Sequence, residues 1–404
     1  MPRKGSPALM RVINAAGVIR ELRARGPMTR ADLVRVTGLS KPTVTSVVAH
    51  LESLGCIGLV PPDARAVPAR APVYEYRADR GQVLGIDIGA GKTLLILADL
   101  SGRTLASTRL ATLAAAPDQP ERFFGTVRSA TDALLDQAAP QTRNLMAVVA
   151  GTPGVVSPDG VVTMAPQLPG WDGLHLVERL RAAFDCLVVA ETEATLSLEA
   201  ERSGGVAQGV EDALFVHLGI GIGAGLLLDG RVHRGAHGGA GEIGQMPYRQ
   251  SSSGREPDVV PLEAVAGGGA IRLSGRAAAG TAEGAAILEL AGGDVDRVEA
   301  ATVFAACRAG DPVARAVVDA AVDALAWGIA TIGSAVDPRT VILGGGMSRS
   351  ADLFLDRLAD RVREWAPFSP EWAVSNLGDE AVALGAVNHA ANLVEQELVR
   401  ALSN

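Results

Sequence analysis

Two stretches of the chain follow one plan, and that repetition limits the fold more than any other feature. Residues 82–107, QVLGIDIGAGKTLLILADLSGRTLAS, read as strand, glycine turn, strand, Ser101-Gly102 turn, strand. Residues 212–235, DALFVHLGIGIGAGLLLDGRVHRG, repeat the plan with an Asp229-Gly230 turn. A helical stretch around 120–138 and a buried strand, LMAVVAG, follow the first unit. After the second, helices around 312–335, 350–365 and 381–402 alternate with the strands TVILGG and WAVSN. Two such units predict a duplicated α/β fold whose lobes close over a cleft.

The N-terminal segment differs in charge. Residues 1–80 carry 13 basic against 6 acidic side chains, a balance of +7. The rest carries 24 against 39, so the chain's net −8 hides a basic head on an acidic body. That asymmetry points to a polyanion partner for the head alone. Leu9, Val12, Ile13, Ala16, Ile19 and Leu22 repeat at helical spacing up to Gly26-Pro27. Thr29 and Asp32 form a capping-box pattern for a second helix, Thr37-Gly38 supplies a turn, and Ser40 with Pro42 starts a third. The third helix buries Val44, Val47, Val48, Leu51 and Leu54. Its other face carries Ser40, Lys41, Thr43, Thr45, Ser46 and His50, which suit phosphate and base-edge contacts in a major groove. Strand, Pro/Arg loop and strand then make a wing, with Arg65 and Arg70 near its tip for a minor groove. The expected partner is double-stranded operator DNA.

No window of 18 uninterrupted apolar residues occurs, so no membrane partner is expected. Arg11, Asn14, Arg20 and Glu21 interrupt any signal-peptide core. Three scattered cysteines, Cys56, Cys186 and Cys307, fit a reducing cytoplasm and no disulfide framework. GAGKT resembles the end of a phosphate-binding P-loop, but position 86 is Ile86 where the motif needs glycine, and a strand follows where it needs a helix. The turn in GIGIGAG is either a tight hairpin alone or one whose N–H groups meet a phosphate or sugar.

These motifs, in order, resemble the ROK family (repressors, open reading frames, kinases) over essentially the whole chain. GIDIGAGKT resembles its first phosphate loop, GTPGVV its G-x-P-G-x-V turn and APQLPGWDGLHL its P-N-L-x-G-W segment. HLGIGIGAGLLLDGRVHRGAHGGAGEIGQMP is similar to the family signature, VILGGGMS to the adenosine-side loop and AVALGAV to the closing helix. The resemblance implies a winged helix-turn-helix at 1–80 and a two-lobed, actin/hexokinase-like body of duplicated ribonuclease H-like folds. Lobe 1 would span 81–192, with helix 385–404 packed on it, and lobe 2 would span 193–384.

Departures from the family pattern separate regulator from kinase. Ala90-Gly91 replaces Gly-Thr in the first loop (Asp87, Gly89, Gly91), and Ile220 replaces a hydroxyl residue in the second (Gly219, Gly221, Gly223). The family's N-D-A-N becomes TEAT, so Glu193 stands at the general-base position and Thr192 at a sugar-binding Asn. Glu193 reaches one methylene further than Asp, and misplacement is costly in proton transfer. Together these losses argue against efficient phosphoryl transfer and against ATP as a cofactor. The family's zinc-binding His is Gln245 here, and residues 246–263 hold no Cys or His, so no zinc is expected. Glu242 and Glu263 match two carboxylates that bind sugar hydroxyls, with Glu242 as a turn cap the plainer role. Trp171, Thr192, Glu193 and Gln245 would complete a sugar pocket. His233 and His237 flank the signature in hydrogen-bonded structural roles. The resulting expectation is a cytoplasmic, sugar- or sugar-phosphate-responsive transcriptional repressor, a homodimer or tetramer. An ATP-dependent sugar kinase with a fused DNA-binding head is the alternative; a regulator blind to sugar is a further one.

Overall fold

The computed structural model describes residues 7–61, 71–112, 119–138, 141–250, 258–367 and 369–401. The basic segment folds first in the chain. It comprises α1 (Pro7–Arg25), β1 (Met28–Thr29), α2 (Arg30–Thr37), α3 (Lys41–Ser53), β2 (Ile57–Leu59) and β3 (Val73–Tyr76). The strands pair in the order β1-β3-β2. The capping box closes at the start of α2: Thr29 Oγ1 accepts from Asp32 N–H, and Asp32 returns the bond to Thr29 N–H, each at 3.2 Å. Gly38 turns the chain at φ 70°, a left-handed conformation that glycine adopts without steric cost. Ser40 Oγ then caps α3 through Thr43 N–H. Val18, Ile19, Leu33, Val44, Val48 and Leu51 bury together. Ile13, part of the same apolar repeat, is 53 % exposed. Arg65 and Arg70 of the wing lie outside the described residues.

The body begins with β4 (Gln82–Ile88), β5 (Lys92–Asp99) and β6 (Thr104–Ala111), an antiparallel meander. Then come α4 (Gln119–Ala138), β7 (Leu145–Thr152), the short pair β8 (Val155–Val156) and β9 (Val162–Thr163), α5 (Leu176–Ala183), β10 (Leu187–Thr192) and α6 (Glu193–Gly204). The first sheet runs β10-β7-β4-β5-β6, with β7 and β10 parallel additions. The second lobe repeats this with β11 (Ala213–Leu218), β12 (Ile222–Leu228) and β13 (Arg231–His233). A hairpin of β14 (Pro247–Gln250) and β15 (Asp258–Pro261) follows, then α7 (Glu263–Ala266), α8 (Gly268–Ala279), α9 (Ala285–Leu290), α10 (Ala300–Arg308) and α11 (Pro312–Val336). The lobe ends with β16 (Thr340–Gly344), α12 (Leu355–Trp365) and β17 (Glu371–Val374). Its sheet runs β13-β12-β11-β16-β17, the first sheet's order element for element. The strand β5 lies where a P-loop would need a helix. Helix α12 starts later than the sequence indicates, after a 3-10 segment over Gly346–Leu353.

α11 is long and apolar enough to cross a bilayer, yet Val318, Val322, Leu325 and Ile329 sit in the second lobe's core. The last helix, α13 (Ala381–Ala401), starts where the 381–402 periodicity places it, four residues before the 385–404 segment assigned to the first lobe, and returns to that lobe. Val382, Ala383, Ala386, Val387 and Ala390 pack against Val83, Ile96 and Val149 of the first sheet and Leu196 of α6. Its far end enters the head, where Val399 is part of the buried core.

This packing depends on missing side chains. A Cβ on Gly385 would stand 1.8 Å from the Leu196 carbonyl oxygen, and one on Gly85 2.4 Å from that of Ala383. Backbone atoms in a packed sheet and helix cannot give way as a side-chain tip can, and overpacking typically costs ~1–3 kcal/mol. We expect Gly385→Ala to lower the melting temperature by several degrees in calorimetry. Gly17→Ala, on α1 with nothing within 4 Å of the new Cβ, should leave it unchanged or raised.

Candidate functional site

Strand ends and turns from both lobes meet at a cavity of about 200 Å³. The β11–β12 turn brings Gly219, Ile220, Gly221 and Gly223, held by Gly219 N–H donating to Gly221 O at 3.0 Å. The start of α6 brings Thr192 and Glu193; the turn after β13 brings Glu242 and Gln245; α7 brings Glu263. From the first lobe come Ala90, Pro153, Met164 and Gln167.

The expected sugar residues therefore converge, with one exception. Trp171 is 2 % exposed and lies in the first lobe's core, its ring 5.2 Å from Phe123, edge to face. The turn that seats it, Trp171 N–H to Leu168 O at 3.1 Å, directs Gln167 rather than the indole toward the cleft. Thr192 has a structural duty as well: its Oγ1 caps α6 by accepting from Thr195 N–H at 3.2 Å. Asp87, Gly89 and Gly91 do not line the cavity, where Ala90 stands for that loop. Gly89 N–H closes its own hairpin on Lys92 O at 3.0 Å. His233 and His237 have exposed side chains.

Both oxygens of Glu263 are engaged within the cleft. Its Oε1 accepts from Gln245 Nε2 at 2.8 Å and its Oε2 from Ile222 N–H at 3.3 Å. Gln245, at the expected zinc-ligand position, thus serves as an amide donor within the cleft. Burial pushes the Glu242 carboxyl up to about 7, with Glu263's charge adding to the shift. Burial likewise raises Glu193, aided by the charges of Asp87 and Glu242. Asp87 is raised by burial, partly relieved by Lys92 and reinforced by Asp379.

His217 escaped the sequence reading. It follows Phe215 on the alternation of β11 and enters the cavity wall, Nε2 lying 4.0 Å from Glu193 Oε2. Burial lowers its pKa to about 4, so it is neutral at pH 7, and its Nδ1 is buried without a hydrogen-bond partner. The available signal was a histidine one strand position before a glycine turn. Chemically, the cleft offers carboxylate acceptors and amide donors in fixed positions, a pattern suited to vicinal hydroxyls.

On the head, Lys41, Thr45, Ser46 and His50 are exposed on one side of α3. Ser40 and Thr43 are partly committed to the cap, their hydroxyls 2.8 Å apart. Lobe and head are bridged by Arg23 of α1, which meets Glu395 at 2.5 Å and Asn392 at 3.2 Å on α13.

A winged helix ahead of two like α/β lobes defines a DNA-binding head on a sugar-kinase-like body. The model of the ROK family matches residues 83–393, and that of the MarR family residues 13–66. The chain belongs to the ROK family. A xylose repressor of Caldicellulosiruptor bescii is 24% identical over 390 residues, covering 95% of this chain and 96% of its own. A glucokinase of Streptomyces coelicolor is 28% identical over 323 residues, covering 77% of this chain and 98% of its own. The crystal structure of a ROK family transcriptional regulator, a homolog of the Escherichia coli MLC protein, has the same fold. Its TM-score is 0.77 at 21% identity, over 98% of this chain and 99% of that one.

The cleft carries a pH signature. Glu242 at about 7 lies above its ordinary 4.5, so the folded chain keeps a proton that the unfolded chain has released. Stability therefore falls as pH rises from about 4.5 to 7. His217, at about 4 against 6.5, acts oppositely: the unfolded chain binds the extra proton, and stability rises across that window. Glu242→Gln removes Glu242's share of the falling branch, leaving that of Asp87 and Glu193. Its melting temperature should exceed the wild type's by a few degrees at pH 8, roughly 1 kcal/mol in a domain of this size. The two should converge near pH 4.

Proposed function

We propose that this protein is a sugar-responsive transcriptional repressor, acting in the cytoplasm as a homodimer or tetramer. The head binds double-stranded operator DNA with α3 in the major groove, and a sugar in the interlobe cleft changes that binding. A pseudo-palindromic operator suits two heads related by a twofold axis. The observation that carries the reading is α13. One helix packs Val382–Ala390 on the sheet that forms one wall of the cleft and inserts Val399 into the head's core. Movement of the first lobe against the second therefore reaches the head through a rigid element, a two-state coupling between sites. The xylose repressor, alike over nearly the whole chain, supports this regulatory role.

The body serves as a sensor rather than an enzyme. Ala90 and Ile220 offer no hydroxyl to a phosphate, and Glu193 is held toward its protonated form. The kinase reading has two observations in its favour: Glu193 and His217 face the same cavity as Glu242 and Glu263, and a glucokinase is among the relatives. It requires measurable ATP turnover with a sugar present.

The test is fluorescence anisotropy on the protein's own upstream DNA at fixed salt, with and without a panel of sugars. One sugar should shift the DNA affinity by about tenfold, near 1.4 kcal/mol of coupling. Lys41→Ala should weaken binding to all sequences and lower the salt slope by about one. Specific binding that no sugar alters would leave a ligand-blind regulator, and absence of specific binding would remove the repressor reading.

A further inference from the structure

Three carboxylates, Glu193, Glu242 and Glu263, line the cleft, and the charge of Asp87 acts on Glu193 from behind. Among the described residues, no Lys or Arg lines it. Lys92, the cation that acts on Asp87, is taken by Asp379 at 2.7 Å, and Arg349 bonds the same carboxylate. His217 is neutral at pH 7.

Phosphate can also be held by a helix N-terminus. Here α8 begins at the glycine turn, but its first donors are already used. Gly268 N–H donates to Gly219 O at 3.0 Å, and Gly269 N–H to Ile220 O at 2.9 Å. α6 begins with Glu193 itself. At the mouth stand Ile220, 57 % exposed, and Met164, 50 % exposed, one from each lobe and neither a donor.

We propose that the cleft selects an uncharged sugar and turns away the phosphate ester of that same sugar. The proposal rests on the sensor reading above and narrows its ligand. Hydroxyls of a neutral sugar donate to the carboxylates, while the amides of Gln167 and Gln245 can serve its oxygens. A phosphate dianion in the same space meets the negative charge of whichever lining carboxylates are ionised, in a poorly solvated site, and among the described residues no Lys or Arg of the lining offsets it. The apolar lips suit the C–H face of a sugar ring.

The test is calorimetric titration of the full-length protein at pH 7.5 and fixed salt. The panel is neutral aldopentoses, aldohexoses and N-acetylhexosamines, each beside its terminal phosphate ester. We expect a neutral sugar to bind and its ester to bind at least 100-fold more weakly, about 2.8 kcal/mol. Ile220→Arg, at an exposed lip that tolerates a long side chain, should raise affinity for the ester at least tenfold. An ester that binds as tightly as its sugar overturns the selection and leaves the sensor reading standing. Unchanged ester affinity in Ile220→Arg overturns the electrostatic cause. No binding by any sugar or ester overturns the sensor reading and the selection with it.

Discussion

The fold depends on how closely α13 approaches its neighbours. Gly85 on β4, Gly151 on β7 and Gly385 on α13 each leave no room for a methyl group. A Cβ at Gly151 would stand 2.5 Å from Val382 Cγ1 and 2.9 Å from Leu196 Cδ1. The helix therefore lies almost on the sheet's backbone, and alanines such as Ala383, Ala386 and Ala390 fill the seam. Close packing of this kind transmits displacement because interiors of native density resist compression. The consequence reaches both ends of the molecule. The same helix touches α6, whose first residues enter the cleft, and α1, whose Arg23 it holds.

A second tie runs across the lobes. Arg234, just past β13, bonds Glu191 at the end of β10 and Glu199 on α6, the latter at 2.9 Å. The other Glu199 oxygen meets His389 Nδ1 of α13 at 2.8 Å. Burial opposes charge on His389, but the bond and charge of Glu199 outweigh it and its pKa rises. The turn that ends at Glu242 is thus anchored through Arg234 to the helix that carries the head. A part-buried network of this sort is destabilised strongly when one partner is removed, because the remaining charge is left uncompensated. The lobe movement proposed above would have to preserve or exchange these bonds as a set, which favours two discrete arrangements over a continuum.

Much of this was legible in the sequence because its causes are local. The capping box at Thr29 and Asp32, the Gly38 turn and the Ser40 cap depend on residues within a few positions, and they form as the sequence indicates. The two meanders show in alternation and turn glycines. Long-range geometry was less legible. Trp171 looked like a pocket residue because it stands in a recognisable segment, but which side chain of a turn faces a cleft depends on what packs beneath it. Phe123 and Phe124, far away in sequence, supply the aromatic surface that draws the indole inward. His217 was overlooked for the converse reason: a strand histidine is ordinary until the opposite lobe makes its face a cavity wall.

The carboxylates show what resemblance to a family adds and what only the structure supplies. Sequence similarity pointed to Glu242 and Glu263 one by one; their mutual placement decides their chemistry. Burial raises the Glu242 carboxyl to about 7, and Glu263, whose oxygens accept from two donors, adds to that shift. Glu193 is raised by burial in the same way, with the charges of Asp87 and Glu242 adding to it. A general base for phosphoryl transfer must be ionised when its substrate arrives, and here the neighbours favour the protonated form. The set that weakens Glu193 as a base supplies a mixture of hydroxyl donors and carboxylate acceptors that a sugar can use. On the reading proposed above, loss of kinase chemistry and retention of sugar recognition would be two results of one charge arrangement.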